Sequence, residues 1–398
     1  MQLRADSTLT EARLQNRTQN KMMEIAFIDI YKRIPINSGG DWWVFQLCTD
    51  LTRNDNVRLF YTSEKSSGEG YQPEDVGFTT TRLGSRINWG RRSKWLEMLR
   101  PDLLWPKTQI RDIKADVVFT LVYGYHIAAS IAKANDVPLI LVMHNVEWQY
   151  VQSLGSLWHV PLRALENWIL KRVSAVITIS PPDYDYAVKH ASPEGVFYIP
   201  PRPDVRVFNP NGARYDFGSD RFNTLFYGSL DRQQNQTALK FIANELIPAL
   251  SREHLDDVIA VHVFGSGKMP PGLLSGTGID FIGAVADPGI YIRGANAVIV
   301  PIKNPSGTKL RAIESLACGK PVVTTPEAAE GLPADLKAMV YLAETADEFV
   351  EALNDIRLGA LANKANPSVV LHHTLGDTTD DVLNYVLKKR KVPAVESK

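Results

Sequence analysis

Residues 306–333, SGTKLRAIESLACGKPVVTTPEAAEGLP, lead from a small-residue turn through a short helix to an apolar strand. The start of a helix leaves N–H groups unsatisfied and carries a partial positive charge, so Ser306, Gly307 and Thr308 can hold an anion such as a diphosphate. At 100° per residue, Leu310, Ile313, Leu316 and Ala317 form the buried stripe of that helix, and Glu314 borders it. A carboxylate at such an edge can accept two hydrogen bonds from a vicinal diol such as a ribose. An ordinary cap and a solvated glutamate would give the same pattern. Gly39 and Gly40 stand between an apolar run and a helical one, where missing side chains let a backbone approach phosphates closely or simply make a turn. His144 ends the apolar run VPLILVMH, and Glu147 follows three residues later. The first reads as a cleft residue or a satisfied core histidine, the second as a surface carboxylate. Gly265-Ser266-Gly267 begins like a dinucleotide fingerprint, but Lys268, Met269 and Pro270 follow, and the third glycine is missing. No P-loop and no cluster with metal-ligand spacing is present, so no metal and no cofactor is expected.

The elements that must position these residues alternate in type. MEIAFIDI (23–30), ADVVFTLV (115–122), VPLILVMH (137–144) and SAVITIS (174–180) read as buried parallel strands, with DWWVFQLCTDLTR and GYHIAASIAKAND as helices between them. The alternation restarts at FNTLFYGSL (222–230) and continues through VIAVHVFGSG, GIDFIG, NAVIVPI and KPVVTT. Strands that alternate with helices imply parallel sheets covered on both faces. Between the two runs, IPPRPDVRVFNPNGARYDFGSD (199–220) is rich in proline, glycine and polar residues and marks a boundary or a long surface loop. The expected fold class is α/β: two Rossmann-like, doubly wound domains facing a cleft, with ligands at the carboxyl ends of the strands. The expected divisions are a polar tail (1–22), a first domain (23–205), a second (206–375) and a terminal helix and tail (376–398).

Composition narrows the classes. With 398 residues, two domains of ordinary size are expected. The 44 basic residues balance the 44 acidic ones, so no overall charge attracts nucleic acid. Two distant cysteines, Cys48 and Cys318, make no disulfide framework and fit a reducing cytosol. The polar N-terminal stretch lacks the apolar core of a signal peptide, and a cytoplasmic location is expected.

In order along the chain, these motifs resemble those of GT-B glycosyltransferases, the retaining enzymes of the glycosyltransferase 4 type. INSGGDWWVFQL looks like the family's first glycine loop and LVMHNVEW like its histidine strand end. VFYIPPRPDVRVF is similar to its interdomain segment, and FYGSLDRQQNQTALKFI to the strand, glycine turn and helix that open the nucleotide-binding domain. VHVFGSG and FIGAVADPGIYIRGANAVIVPI resemble the next two landmarks. The likeness spans residues 23–340.

What the resemblance implies is transfer of a sugar from a nucleoside diphosphate donor to a hydroxyl on a glycan or lipid-linked acceptor, without a metal. It places Gly39, Gly40, Gly228, Ser229, Gly265, Gly283, Ser306, Gly307, Thr308 and Glu314 around the donor, His144 on the transferred sugar and Glu147 on the acceptor side. Departures matter. Ser306 stands where the family has the first of two carboxylates, and Ser229 and Gln234 stand at its two basic positions. Arg232 and Lys309 are the nearest substitutes for meeting phosphate charge. Two rivals fit the same fold, a sugar-nucleotide epimerase and a non-catalytic nucleotide-sugar-binding partner subunit. Finally, residues 86–111 mix seven cations, among them Arg91, Arg92 and Lys94, with Trp89, Trp95 and Trp105. This reads as a solvated basic face over core tryptophans, or as peripheral contact with an anionic membrane.

Overall fold

The computed structural model describes residues 22–391 except 30–35, 37, 38, 62–75, 84–109, 111, 154, 219, 231, 268–277, 304–309 and 372–376. Two sheets organise them. The first has the strand order β3-β2-β1-β4-β5-β6-β7. Its strands are β1 (Glu24–Ile28), β2 (Asn56–Tyr61), β3 (Thr79–Arg82), β4 (Val117–Leu121), β5 (Leu139–Met143), β6 (Ala175–Thr178) and β7 (Val196–Tyr198). The second has the order β10-β9-β8-β11-β12-β13. These are β8 (Phe222–Tyr227), β9 (Ile259–Phe264), β10 (Ile279–Gly283), β11 (Ala297–Val300), β12 (Val322–Thr324) and β13 (Tyr341–Leu342). Every described pairing is parallel. The expected α/β fold is therefore present, and β4, β5 and β6 are buried along their whole length, as strands with both faces covered should be.

The long apolar runs are the central strands. Periodicity did not single out β2, β3, β7 and β13, which are edge or near-edge strands, some only two to four residues long. Thr79–Arg82 is exposed throughout, so no apolar pattern marks it.

In each sheet the strand order reverses once, between β1 and β4 and between β8 and β11. Chains leave such a switch point in opposite directions and open a crevice at the carboxyl edge. Helix α1 (Gly39–Thr52) follows β1 at the first switch point. In the second sheet, the Gly228 turn follows β8, and α2 (Leu310–Ala317) is the helix after β11. The two crevices meet: a Cβ built on Gly39 would lie 3.4 Å from Leu310 Cβ.

Segment 199–220 is stitched to both sheets. Trp42 Nε1 donates to the Arg202 carbonyl at 2.6 Å and Trp43 Nε1 to that of Ile199 at 3.0 Å. Arg202 also pairs with Asp50. From the other side, buried Arg293 donates to the carbonyls of Val207 and Ala213, both at 2.8 Å. The terminal helix α3 (Thr379–Lys391) returns to the first sheet: Asp377 and Tyr198 exchange hydrogen bonds of 2.7 and 2.8 Å, and Val382, Leu383 and Val386 are buried. One apolar cluster runs through both halves, from Trp43 to Leu225 and Phe349.

Candidate functional site

Three of the glycines singled out in the sequence come together at the carboxyl edge of β10-β9-β8. Gly265 N–H donates to the Gly283 carbonyl at 2.9 Å, Gly228 N–H to Phe264 at 3.2 Å and Leu230 N–H to Ser266 at 2.7 Å. Gly228 and Gly283 have φ of 150° and 92°, a backbone that side chains rarely adopt. A Cβ on Gly265 would meet the Gly228 carbonyl oxygen at 1.8 Å, so the turns touch backbone to backbone. The Ser229 carbonyl accepts from Asn235 Nδ2 at 2.7 Å. Arg232 sits at the N-cap of the helix Gln233–Phe241 with an exposed side chain.

The cation that packs against this turn is Arg311, which sequence reading missed. Its Nη2 donates to Asn235 Oδ1 at 2.7 Å, and a Cβ on Gly228 would lie only 2.6 Å from that nitrogen. Its guanidinium lies 5.0 Å from the Phe226 ring centroid. Nη1 is buried and has no hydrogen-bond partner. Burial pulls the Arg311 pKa down to about 10, against the opposing pull of Tyr227 and Glu314. The signal was available, since residue 311 is three before Glu314 and so shares its side of the helix.

Glu314 is half-buried at the border of the apolar stripe, as its spacing implies. Leu310, Ile313, Leu316 and Ala317 are buried, and so are Ala312 and Ser315. Burial raises the Glu314 carboxyl to about 7, while a hydrogen bond from Tyr227 and the charge of Arg311 act to lower it. Tyr227 Oη lies 2.9 Å from Glu314 Oε2 and 2.9 Å from the Arg311 carbonyl. One hydroxyl proton thus faces two acceptors. With Glu314 ionised, Tyr227 donates to it; with Glu314 protonated, the carboxyl can donate to Oη and Tyr227 to the carbonyl. Burial holds the phenol well above its ordinary pKa, so it stays a donor. Ser306, Gly307, Thr308 and Lys309 lie outside the described residues.

Across the crevice, His144 follows β5 directly and is half-buried. Its ring is 5.4 Å from that of Trp43, and a Cβ on Gly40 would lie 3.6 Å from its Nε2. His144, Gly39, Gly40 and the start of α2 therefore share one region. Glu147 opens the short helix Glu147–Ser153 and accepts from Tyr123 Oη at 2.8 Å. Beneath it lies Glu166, fully buried, whose two oxygens accept from the N–H groups of Glu147 (3.2 Å) and Trp148 (3.3 Å). Asp183 accepts from Val146 N–H at 3.1 Å. Burial first, then the charges of Glu147 and Asp183, outweigh those N–H bonds and raise Glu166 to about 8. Among the described residues, no group of three His, Cys, Asp or Glu side chains could hold a metal ion.

Comparison with known proteins assigns both halves. Residues 38–204 match the family model described as Glycosyltransferase Family 4, and residues 221–357 match the one described as Glycosyl transferases group 1. No curated protein matches the chain. Among solved structures it resembles sucrose-phosphate synthase from Thermosynechococcus elongatus, with 16% identity, a TM-score of 0.69 and 93% of this chain covering 98% of that one. It also resembles HepE from Anabaena in complex with UDP-glucose, with 14% identity, a TM-score of 0.63 and coverages of 92% and 98%. A third is WaaG, a glycosyltransferase involved in lipopolysaccharide biosynthesis, with 16% identity, a TM-score of 0.62 and coverages of 91% and 99%. At such identities these likenesses speak for the fold, which is GT-B.

Two outcomes follow from the site's packing. Gly265→Ala is expected to cost about 2–4 kcal/mol in thermal denaturation, because a backbone oxygen must move. Gly283→Ala, with no heavy atom within 4 Å of its Cβ, should cost only the backbone strain of about 1–2 kcal/mol. Equal stabilities for parent and Gly265→Ala would refute the close approach.

The second concerns Glu166. Its folded pKa of about 8 exceeds the ordinary carboxyl value of 4.5, so its contribution is complete at acid pH and is lost as pH rises through that window. The unfolding free energy of the parent, from urea titrations, should fall between pH 5 and 8 by on the order of a few kcal/mol, and Glu166→Gln should flatten that slope. An unchanged slope would show that Glu166 titrates normally.

Proposed function

We propose that this chain, a glycosyltransferase of the GT-B type by the family models its two halves match, moves a sugar from a nucleoside diphosphate sugar to a hydroxyl on a glycan or lipid-linked glycan. The observation that carries the reading is the donor edge of the second sheet. A backbone turn of glycines, a buried guanidinium with an unpartnered Nη1 and a carboxylate at the next helical turn stand together there. The UDP-glucose held by the Anabaena protein supports a nucleotide-sugar donor. Resemblance to the retaining enzymes of the family 4 type supports retention of configuration.

In this reading the diphosphate lies over the Gly228 turn and the start of α2, where Arg311 Nη1 and the helix N–H groups meet its charge. Ser306, Gly307 and Thr308 supply N–H groups, exposed Arg232 adds charge from the rim, and Lys309 is the second candidate cation. Tyr227 engages Glu314 Oε2 and leaves Oε1 to accept a ribose hydroxyl. The sugar then projects across the crevice toward His144, with Gly39 and Gly40 approaching the phosphates and Glu147 on the acceptor side. As the bond to the sugar breaks, negative charge grows on the departing diphosphate. Pre-placed donors stabilise that charge with little reorganisation. His144 positions the sugar by a hydrogen bond and is not assigned the role of base.

A non-catalytic binding subunit is the second reading, favoured by Ser306, Ser229 and Gln234 at positions where the family carries charge. A screen of nucleoside diphosphate sugars separates the readings. Thermal stabilisation by one of them, followed by its consumption with an acceptor, supports transfer. Stabilisation without consumption supports the subunit, and consumption that yields a changed sugar without an acceptor supports an epimerase.

Arg311→Gln should weaken nucleoside diphosphate binding by about 1.5–3 kcal/mol while leaving nucleoside binding nearly intact. Calorimetric titration of both ligands checks this, and an equal loss for the two would point to a structural defect. Arg232→Gln, at an exposed position, should cost less.

His144→Ala is expected to lower kcat by roughly tenfold or more while changing nucleoside diphosphate affinity little, because none of the nucleotide contacts proposed above uses its side chain. Steady-state kinetics beside direct titration tests it. Unchanged turnover would remove His144 from the sugar.

A further inference from the structure

The helix His159–Leu170 is apolar on two opposite sides. Leu162, Ile169 and Leu170 face inward and are buried around Glu166. At 100° per residue the opposite side presents Val160, Pro161, Ala164 and Trp168. Val160 is 62% exposed and Trp168 39%, and the turn leading in adds Leu157 at 84% and Trp158 at 48%. Single exposed apolar residues need no explanation. Here, however, four of the eleven large exposed hydrophobics among the described residues fall within twelve positions.

Within this segment the exposed charges have one sign. Arg163, Lys171 and Arg172 are exposed. Arg163 lies over the Trp148 ring at 4.8 Å and Arg172 over the Trp168 ring at 4.1 Å. Between residues 155 and 174 the sole acidic residue is Glu166, and it is fully buried. Cations beside exposed tryptophan and aliphatic side chains suit the boundary of an anionic bilayer, where rings and chains enter the interface and the cations meet headgroup phosphates. A second copy of the chain fits poorly, since a two-fold contact would set these cations against their own symmetry mates.

We propose that the face formed by Leu157, Trp158, Val160, Arg163, Trp168 and Arg172 docks on an anionic lipid membrane. The same helix carries Glu166 on its inner side, and Glu166 accepts the N–H groups of Glu147 and Trp148. Hydrogen bonds therefore tie the docking face to the turn that follows His144. In this respect alone the proposal deepens the transfer reading, by bringing the acceptor side to a lipid surface; docking itself does not depend on transfer. The basic segment 86–111 lies outside the described residues, apart from Ile110, and is a separate candidate for the same surface.

The test is co-sedimentation of the full chain with phosphatidylcholine vesicles, with and without phosphatidylglycerol, and without nucleotide sugar. The parent should bind the anionic vesicles, and binding should weaken as salt rises. Changing Leu157, Trp158 and Val160 together to Ser should abolish most of it without changing the melting temperature, since all three are exposed. Arg163→Ser, Lys171→Ser and Arg172→Ser should each weaken binding by about fivefold and reduce the salt dependence. Absence of binding, equal binding to neutral vesicles, or loss only when Arg91, Arg92 and Lys94 are changed would overturn the assignment. So would a dimeric parent that the Leu157, Trp158 and Val160 change converts to a monomer. Donor stabilisation measured on the same variants reports separately on the transfer reading.

Discussion

Arg311 carries a positive charge into a place where Nη1 is shut off from water and has no partner, and its surroundings are shaped by that constraint. A buried cation is tolerated only when neighbouring dipoles and charges replace its hydration. Asn235 supplies one acceptor, the rings of Phe226 and Tyr227 supply their faces, and Glu314 sits one helical turn away. Gly228 lies against the guanidinium, where a Cβ could not fit. Nη1 alone is left without an acceptor among these neighbours.

Glycines shape the same edge of the sheet. Gly228, Gly265 and Gly283 bring three strand ends close enough to present backbone in place of side chains. Burial lifts the Glu314 pKa to about 7 as it lowers that of Arg311, in each case disfavouring the charged form. Tyr227 is bonded so that either protonation state of Glu314 can be accommodated. Acid, cation and phenol thus form one coupled group.

The opposite wall is built on different terms. His144 and Glu147 belong to a turn whose N–H groups are held from below by Glu166 and Asp183. Buried acids that accept backbone N–H groups stiffen that turn, and the Tyr123 hydroxyl holds the Glu147 carboxylate above it. Segment 199–220 and the returning terminal helix, tied to both halves through Trp42, Arg293, Tyr198 and Asp377, hold the two walls together.

Much of this was legible in the sequence because strand and helix periods are local properties. The apolar runs ending at His144 and Gly228, the helix beginning near Leu310 and the placement of Glu314 at a stripe edge all follow from side-chain spacing along one element. Residues 79–82, 196–198 and 341–342 escaped because edge strands are short and lack a two-sided apolar pattern, and 56–61, one strand in from the edge, because exposed Arg58 interrupts its apolar run. What joins Arg311 to Asn235, 76 positions earlier, or Tyr227 to Glu314, 87 positions later, has no local signature. Those contacts exist because two parallel strands deliver their carboxyl ends side by side. Burial, and with it the raised pKa values of Glu314 and Glu166, depends on that packing, so only the tertiary structure decided which cation meets the turn and which acids lose their water.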